Sequence, residues 1–305
     1  MIIDLHTHSH YSSDGKLTIP ELLDYYSKGD IVGLTDHETI GGWDEFKAEA
    51  EKRGIRPVLG VEWFAGEHHI LSYFLNGVPD DFISYMVERR NKEKKCMENV
   101  YAVCKKKYNG LPLYEELMKM QPHPEMILSV PALANEISKV SDMHFKDAVH
   151  NIRSIRRSLP EDKQQEIFFA NEIIQKINSW GAVSILAHPY YEKGVELTNN
   201  DVKKKIRLFL QYGIQGVEVF SGKADKNIQD FLLSICEDLR LLPSIGSDFH
   251  YQIKNLNQAE GLRRVKGNIG LKFHDQGKGL NPKYLREIDF DLIKRIKKWV
   301  INKSR

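Results

Sequence analysis

The sequence predicts an α/β protein with a mostly parallel sheet, interrupted by a helical insertion. Three observations carry this expectation. Short apolar runs alternate with amphipathic stretches over the first 75 residues, that rhythm is lost between about 80 and 165, and it resumes from Phe168. Alternation of this kind is the pattern of strands joined by crossover helices.

The first apolar run, residues 2–6, predicts a strand. Thr18-Ile19-Pro20-Glu21 is a capping box with an early proline and opens a helix expected to reach about Gly29. Strands are expected at 31–35, 57–61 and 70–75, and a helix at 43–53 is stopped by Gly54. After Asn76-Gly77 the chain turns rich in Lys, Glu and Met with helical spacing, and 86–108 reads as one long helix closing at Asn109-Gly110. Helices at 168–180, 201–212 and 226–239 then alternate with strands at 182–187, 216–220 and 242–246. Four glycines within 266–281 predict a long loop, and 289–299 predicts a closing basic helix. The expected organisation is a discontinuous α/β body, 1–78 and 178–305, around a mainly helical insertion over 79–177.

Bulk composition narrows the class. A hydrophobic content of 41% with 28% charged residues is that of an ordinary globular protein. No run approaches the ~18 apolar residues that cross a bilayer. Asp4 and His6 inside the first apolar stretch argue against a signal peptide. Three scattered cysteines, Cys96, Cys104 and Cys236, make no disulfide framework and fit a reducing cytoplasm. A net charge of +2 neither demands nor excludes a nucleic-acid partner.

The chemistry is concentrated where apolar runs stop. Asp4-Leu5-His6-Thr7-His8 is followed by Asp14, Thr35-Asp36-His37, Gly60-Val61-Glu62, His68-His69, Ala187-His188-Pro189 and Gly246-Ser247-Asp248-Phe249-His250. In a strand, residues i and i+2 share a face, so His6 and His8 converge with Asp4 behind them. Paired imidazoles at a strand end suit a borderline divalent metal. In a barrel the strand ends meet at one mouth, so residues roughly 250 positions apart can share one site. Only one of His68 and His69 can face that mouth from a strand.

In that order, the set His6-Thr7-His8, Ser13-Asp14-Gly15, Thr35-Asp36-His37, Gly60-Val61-Glu62, His69-Ile70-Leu71, Ala187-His188-Pro189 and Gly246-Ser247-Asp248-Phe249-His250 resembles the PHP (polymerase and histidinol phosphatase) family of metal-dependent phosphoesterases. The resemblance implies a distorted (β/α)7, TIM-like barrel capped by the insertion and holding two or three divalent ions, Mn²⁺, Zn²⁺ or Fe²⁺. The implied ligands are His6, His8, Asp14, His37, Glu62, His69, His188, Asp248 and His250. His69 is chosen over His68 because it fits the family's histidine-apolar-apolar pattern. Glu62 is the expected bridge; His6, His8 and Asp248 join it at one ion, Asp14, His37 and His250 surround a second, and His69 and His188 complete a third. Such ions acidify a bridging water toward hydroxide and neutralise phosphoryl charge. Beyond Glu62, the expected catalytic residues are His188 and His250: the leaving oxygen takes its proton either from metal-bound water or from one of these histidines where it is not fully engaged as a ligand. Asp36 is expected either to orient a ligand or to cap a helix.

Within the family, the branch with a capping insertion contains nucleotide phosphatases and 5′-to-3′ exoribonuclease-like enzymes. Its members carry an arginine and a histidine in a short helical stretch of the insertion. Here that stretch is Ser129-Val130-Pro131-Ala132-Leu133-Ala134, without either group. A histidine expected after 216–220 is also absent, and Lys223 stands nearby. Arg153, Arg156 and Arg157 are the substitutes for holding phosphate, since helical spacing puts two guanidinium groups on one face; a solvated basic helix is the alternative. The expected activity is hydrolysis of a small phosphomonoester, nucleotide-like, or of short RNA ends, with no membrane and no obligate protein partner. The rivals are a histidinol-phosphate phosphatase, an amidohydrolase, which typically uses a bridging lysine, and a non-catalytic PHP module.

Overall fold

The computed structural model describes residues 2–12, 14–121, 126–164, 168–192, 195–221, 224–252 and 277–278. The chain divides into two compact units, residues 1–78 with 168–305, and residues 79–167.

The first unit is a seven-stranded sheet that nearly closes into a barrel, with helices around it. Its strands in chain order are β1 (Ile3–Thr7), β2 (Ile31–Leu34), β3 (Arg56–Ala65), β4 (His68–Phe74), β5 (Val183–Leu186), β6 (Gly216–Ser221) and β7 (Leu242–Gly246), and they lie side by side in that same order. β1–β2–β3 and β5–β6–β7 are parallel. β4 alone is reversed, pairing antiparallel with both β3 and β5. The cause is local: Ala65 pairs with His68 across Gly66-Glu67, and Gly66 has a φ of 68°. Such a tight link can only make a hairpin, because a parallel pair needs a crossover of a dozen or more residues. Closure comes from the far ends of the sheet, where Thr7 bridges Phe249 and the His8 amide donates to the Phe249 carbonyl at 2.8 Å.

Among the described residues, five helices belong to this unit: α1 (Ile19–Leu23) and α2 (Trp43–Lys52) before the insertion, and three after it. The capping box on α1 is present, with the Glu21 amide donating to Thr18 Oγ1 and the Thr18 amide to Glu21 Oε2. The helix ends after Leu23, well short of Gly29. Tertiary bonds take the following residues out of the helix: Tyr26 Oη donates to Asp4 at 2.7 Å, and Asp30 accepts from the amides of Ser27 and Ile2.

The second unit is helical: α3 (Asp80–Lys107), α4 (Tyr114–Lys119), α5 (Val130–Val140) and α6 (Phe145–Ser158), with a short 3-10 turn at Glu161–Lys163. It has its own core, in which Cys96, Met97, Val100 and Cys104 of α3 meet Leu133 and Ile137 of α5 and Ile152 of α6. Cys96 and Cys104 are therefore core thiols. The next helix, α7 (Ala170–Ser179), turns Ile173, Ile174 and Ile177 inward and packs on β3, β4 and β5. It belongs to the barrel unit, whereas the sequence boundary at 177/178 cuts through it. α8 (Asn199–Tyr212) and α9 (Lys226–Leu239) complete the set.

Trp63 anchors β3. It is fully buried, stacks on Trp180, meets the edge of Phe168 and donates its indole N–H to Ser72 Oγ at 3.0 Å. Burying such a ring stabilises by about 1.5–3 kcal/mol. Within the expected 266–281 loop, Gly277–Lys278 pairs antiparallel with Tyr251–Gln252; the rest of that loop and the expected helix at 289–299 lie outside the described residues.

Candidate metal centre

β1 ends in His6 and Thr7, and the alternation of the strand keeps His6 and His8 pointing inward. Neither ring has any exposed surface. Beyond the end of β2 the chain stays extended enough for His37 to bridge Glu62 of β3. β4 brings His69 from its beginning rather than its end, because that strand runs the other way. His188 follows β5, and Asp248 and His250 follow β7.

The organising group is Glu62. Its Oε2 lies 3.2 Å from His6 Nε2, 3.1 Å from His8 Nε2 and 3.2 Å from His37 Nδ1. Its Oε1 lies 2.8 Å from His69 Nδ1 and 3.2 Å from His188 Nε2. Five imidazoles thus surround one fully buried carboxylate. Asp248 Oδ1 stands 3.5 Å from His6 Nε2 and 3.6 Å from His8 Nε2. Asp14 spans the outer side, 3.5 Å from His37 Nε2 and 3.4 Å from His250 Nε2. The His8 and His250 rings stack at 4.0 Å.

These contacts test whether the residues fit metal. His6 Nε2, His8 Nε2, His37 Nδ1 and Glu62 Oε2 are buried and crowded together, yet none makes a hydrogen bond. Buried imidazole nitrogens and carboxylate oxygens that converge on one point are a donor set for a cation. Ligands ~2.1 Å from one ion lie roughly 3 Å from each other, the spacing these atoms have. Three groups of side chains offer such atoms: His6, His8, Glu62 and Asp248; His8, Asp14, His37 and His250; and His37, Glu62 and His69. His8 and His37 each join two groups, which the sequence partition did not allow for.

Several surrounding bonds fix ring orientation. His250 Nδ1 donates to the Asp248 carbonyl at 2.8 Å, leaving Nε2 directed at Asp14. Ser12 Oγ accepts the His37 amide at 3.0 Å and meets His8 Nδ1 at 3.3 Å. Asp36 neither touches a ligand ring nor caps a helix: its oxygens accept from the amide and hydroxyl of Ser9, at 2.6 and 2.7 Å, and hold the loop between His8 and Asp14. Asp4 accepts from Tyr26, the Ser247 amide and the His6 amide, tying β1 to the end of β7. Left-handed backbone at Glu38 (φ 49°), His188 (φ 28°) and Asp248 (φ 53°) follows or includes ligand positions; each costs about 1–3 kcal/mol and persists because its neighbours hold it.

Without metal, the cluster traps protons. Burial works against charge on His6 and His8, but Glu62 with Glu218 raises His6 well above its usual range, and Asp248 with Glu62 raises His8 to about 9. Burial likewise opposes ionised Glu62, yet His6, His37, His69 and His188 hold it well below the carboxylate range. A His raised in the folded state stabilises fully below its unfolded value, near 6.5, and loses that contribution as pH climbs through about 9. The metal-free protein is therefore expected to lose thermal stability between pH 6.5 and 9, and Mn²⁺ to cancel the loss by replacing protons. A metal-free melting temperature that rises across this window contradicts the assignment.

Of the other candidates, His68 is directed away and meets Phe209 edge-on at 5.0 Å. Arg153, Arg156 and Arg157 lie on α6 of the helical unit; Arg153 and Arg157 are exposed, and Arg156 pairs with Glu93 at 2.6 Å. Lys223 lies outside the described residues. Two residues escaped sequence reasoning. Phe64 shares the inward face of β3 with Glu62, stacks on His37 at 4.6 Å and stays 39% exposed. Glu218, in the apolar run of β6, is fully buried and bonded to His6. A carboxylate inside an apolar strand was the available signal for the second.

A nearly closed mixed barrel whose strand ends deliver His, Asp and Glu to one carboxylate defines a class of metal-dependent phosphoesterases. The chain matches the PHP domain over residues 4–169, and it belongs to the PHP family. It is 27% identical to a 5′-3′ exoribonuclease of Haemophilus influenzae, over 81% of this chain and 89% of that protein. It is also 27% identical to a 3′,5′-nucleoside bisphosphate phosphatase of Chromobacterium violaceum, over 81% and 87%. Among solved structures, a Bifidobacterium adolescentis protein provisionally described as a metal-dependent phosphoesterase superposes with a TM-score of 0.62 at 19% identity, covering 97% of this chain and 96% of that one. A Chromobacterium violaceum amidohydrolase with bound sulfate and no metal gives 0.57 at 25% identity, covering 82% and 88%. Family membership implies hydrolase activity, and the buried cluster suits divalent metal. No helix among the described residues is long and apolar enough to cross a membrane.

Proposed function

We propose that this chain is a metal-dependent phosphoesterase acting on a nucleotide-like phosphomonoester or on short oligonucleotide ends. The observation that carries the reading is the convergence of five imidazoles on Glu62, with Asp248, Asp14 and His250 completing the ring of donors. His6, His8, Asp14, His37, Glu62, His69, His188, Asp248 and His250 would hold two or three divalent ions. Bound there, the ions supply Lewis acidity, which acidifies water and neutralises phosphoryl charge. The protein contributes position. Glu62 offers one oxygen to each side of the cluster, and the fixed rings leave few donors free to reorganise. His188 and His250 border the cluster; either would protonate the leaving oxygen only where its ring is not fully engaged as a ligand, and water is the alternative source of that proton. Arg153, Arg157 and Lys223 remain candidates for holding a substrate phosphate.

The nucleotide class is supported by the two relatives above and by Phe64. Its exposed ring sits one step outward from Glu62 on the same strand face, where a nucleobase can stack. Base–aromatic stacking contributes ~1–3 kcal/mol. Phe64→Ala is expected to raise KM for nucleotide substrates about 10-fold, from that range, and to affect a phosphomonoester without a base much less. Equal effects on both classes would assign Phe64 to packing His37 alone.

The test of the function is a Mn²⁺-loaded assay comparing 5′-AMP, 3′,5′-bisphosphonucleotides, histidinol phosphate and short RNA. Turnover of the nucleotide or RNA substrates is expected. Preference for histidinol phosphate would move the chain to that activity, and no hydrolysis across the panel would favour a non-catalytic module.

A further inference from the structure

We propose that Glu218 is a positioning residue that aligns two of the metal ligands at once. The inference rests on the metal reading above. Glu218 is fully buried in the middle of β6, a strand that supplies no ligand of its own. Its Oε1 lies 2.8 Å from His6 Nδ1, and its Oε2 accepts the backbone N–H of His188 at 2.8 Å.

The first bond sets chemistry. A carboxylate only accepts, so His6 Nδ1 carries the proton and Nε2 is the atom presented to Glu62 and Asp248. That is the nitrogen a metal would take. The second bond sets geometry. His188 has a left-handed backbone, with φ of 28°, which an L residue does not adopt without restraint. The Glu218 bond to its amide is such a restraint, applied where the chain leaves β5 and must swing the His188 ring toward Glu62.

A Cβ on Gly246 would fall 2.8 Å from Glu218 Oε1 and 2.1 Å from His6 Cβ, so the glycine makes the room in which this pair fits. Glu218 therefore spans β1 and the end of β5 from the strand lying next to β5. The two anchor points belong to the first and the seventh ligand in chain order, 182 residues apart.

The experiment is a Mn²⁺ titration, read by electron paramagnetic resonance and by metal content after dialysis, on full-length wild type, Glu218→Gln and Asp30→Asn. Gln can accept with only one atom, so one of the two donors loses its partner. Loss of a partner behind a metal ligand typically weakens affinity ~10–100-fold, and Mn²⁺ affinity of E218Q is expected to fall by that factor with an altered Mn²⁺ spectrum. Asp30 is a buried carboxylate that bonds Ile2 and Ser27, away from the cluster. D30N is expected to lower the melting temperature without moving Mn²⁺ affinity, which separates positioning from general stability. Should E218Q not fold, Glu218→Asp, which keeps the charge but withdraws it by one methylene, serves in its place with the same expectation. Unchanged affinity and spectrum in a folded E218Q or E218D, beside a wild type that binds Mn²⁺, overturns the role of Glu218 alone. A wild type that binds no Mn²⁺ overturns the metal reading with it.

Discussion

Glu62→Gln is expected to remove metal binding and hydrolysis together while the barrel still folds. The substitution keeps the shape of the side chain and removes its charge. Both oxygens of Glu62 are committed, Oε2 to His6, His8 and His37, and Oε1 to His69 and His188. An amide nitrogen in either place points hydrogens at ring nitrogens and cannot ligate a cation. Removing one preorganised electrostatic group commonly costs ~10²–10³ in turnover; Glu62 serves two sides of one cluster, so a loss of at least ~10³ is expected on that basis. The backbone of Glu62 is independently secured, since the Glu38 amide donates to its carbonyl and β3 pairs along its length with β4. Circular dichroism should therefore stay native. Turnover within tenfold of wild type contradicts the role.

Gly246→Ala is the second large effect, and it removes no ligand. The glycine closes β7 against β1, and an added Cβ would stand 2.1 Å from His6 Cβ and 3.0 Å from the His6 amide nitrogen. Real contacts do not approach so closely, and at His6 the neighbours are a β-carbon and buried backbone, with no flexible end to yield. Overpacking a tight interior typically costs ~1–3 kcal/mol. Here the displaced residue is His6, a proposed ligand bonded to Glu218, so a lower melting temperature should come with weaker Mn²⁺ binding and reduced turnover. Matched measurements on Gly29→Ala separate the two effects, because nothing lies within 4 Å of a Cβ there and its φ of 91° alone carries the strain. A G246A variant that loses stability as G29A does but binds Mn²⁺ normally would show that the close approach has no bearing on the site.

The donors were legible because the barrel gathers strand ends and each donor interrupts an apolar run. The run-and-stop pattern singled out His6, His8, His37, His188, Asp248 and His250, which the barrel brings together around Glu62 and Asp14. His69 obeys a different rule: β4 is reversed, so its donor stands at the start of the strand, and only the family pattern chose it over His68. Strand reversal itself followed from the Gly66-Glu67 link, which sequence spacing alone had left as two separate strands. Helix α1 stopped early for a reason no local signal carries, since Tyr26 bonds to Asp4 of β1 and Asp30 to Ile2 just before that strand. Glu218 and Phe64 were missed because their roles depend on which strands become neighbours. The groups expected to hold phosphate were least legible: Arg156 is joined to Glu93, and Lys223 lies outside the described residues.

In the proposed reading the carboxylate of Glu62 is the hub of a divalent metal centre. Diffraction from Mn²⁺-soaked crystals, measured at the manganese absorption edge, tests it most directly. Two or three anomalous peaks are expected, at least one within about 2.0–2.2 Å of a Glu62 oxygen and of a His6 or His8 nitrogen, distances ordinary for oxygen and imidazole ligands. Saturating Mn²⁺ with no peak among these residues would contradict it.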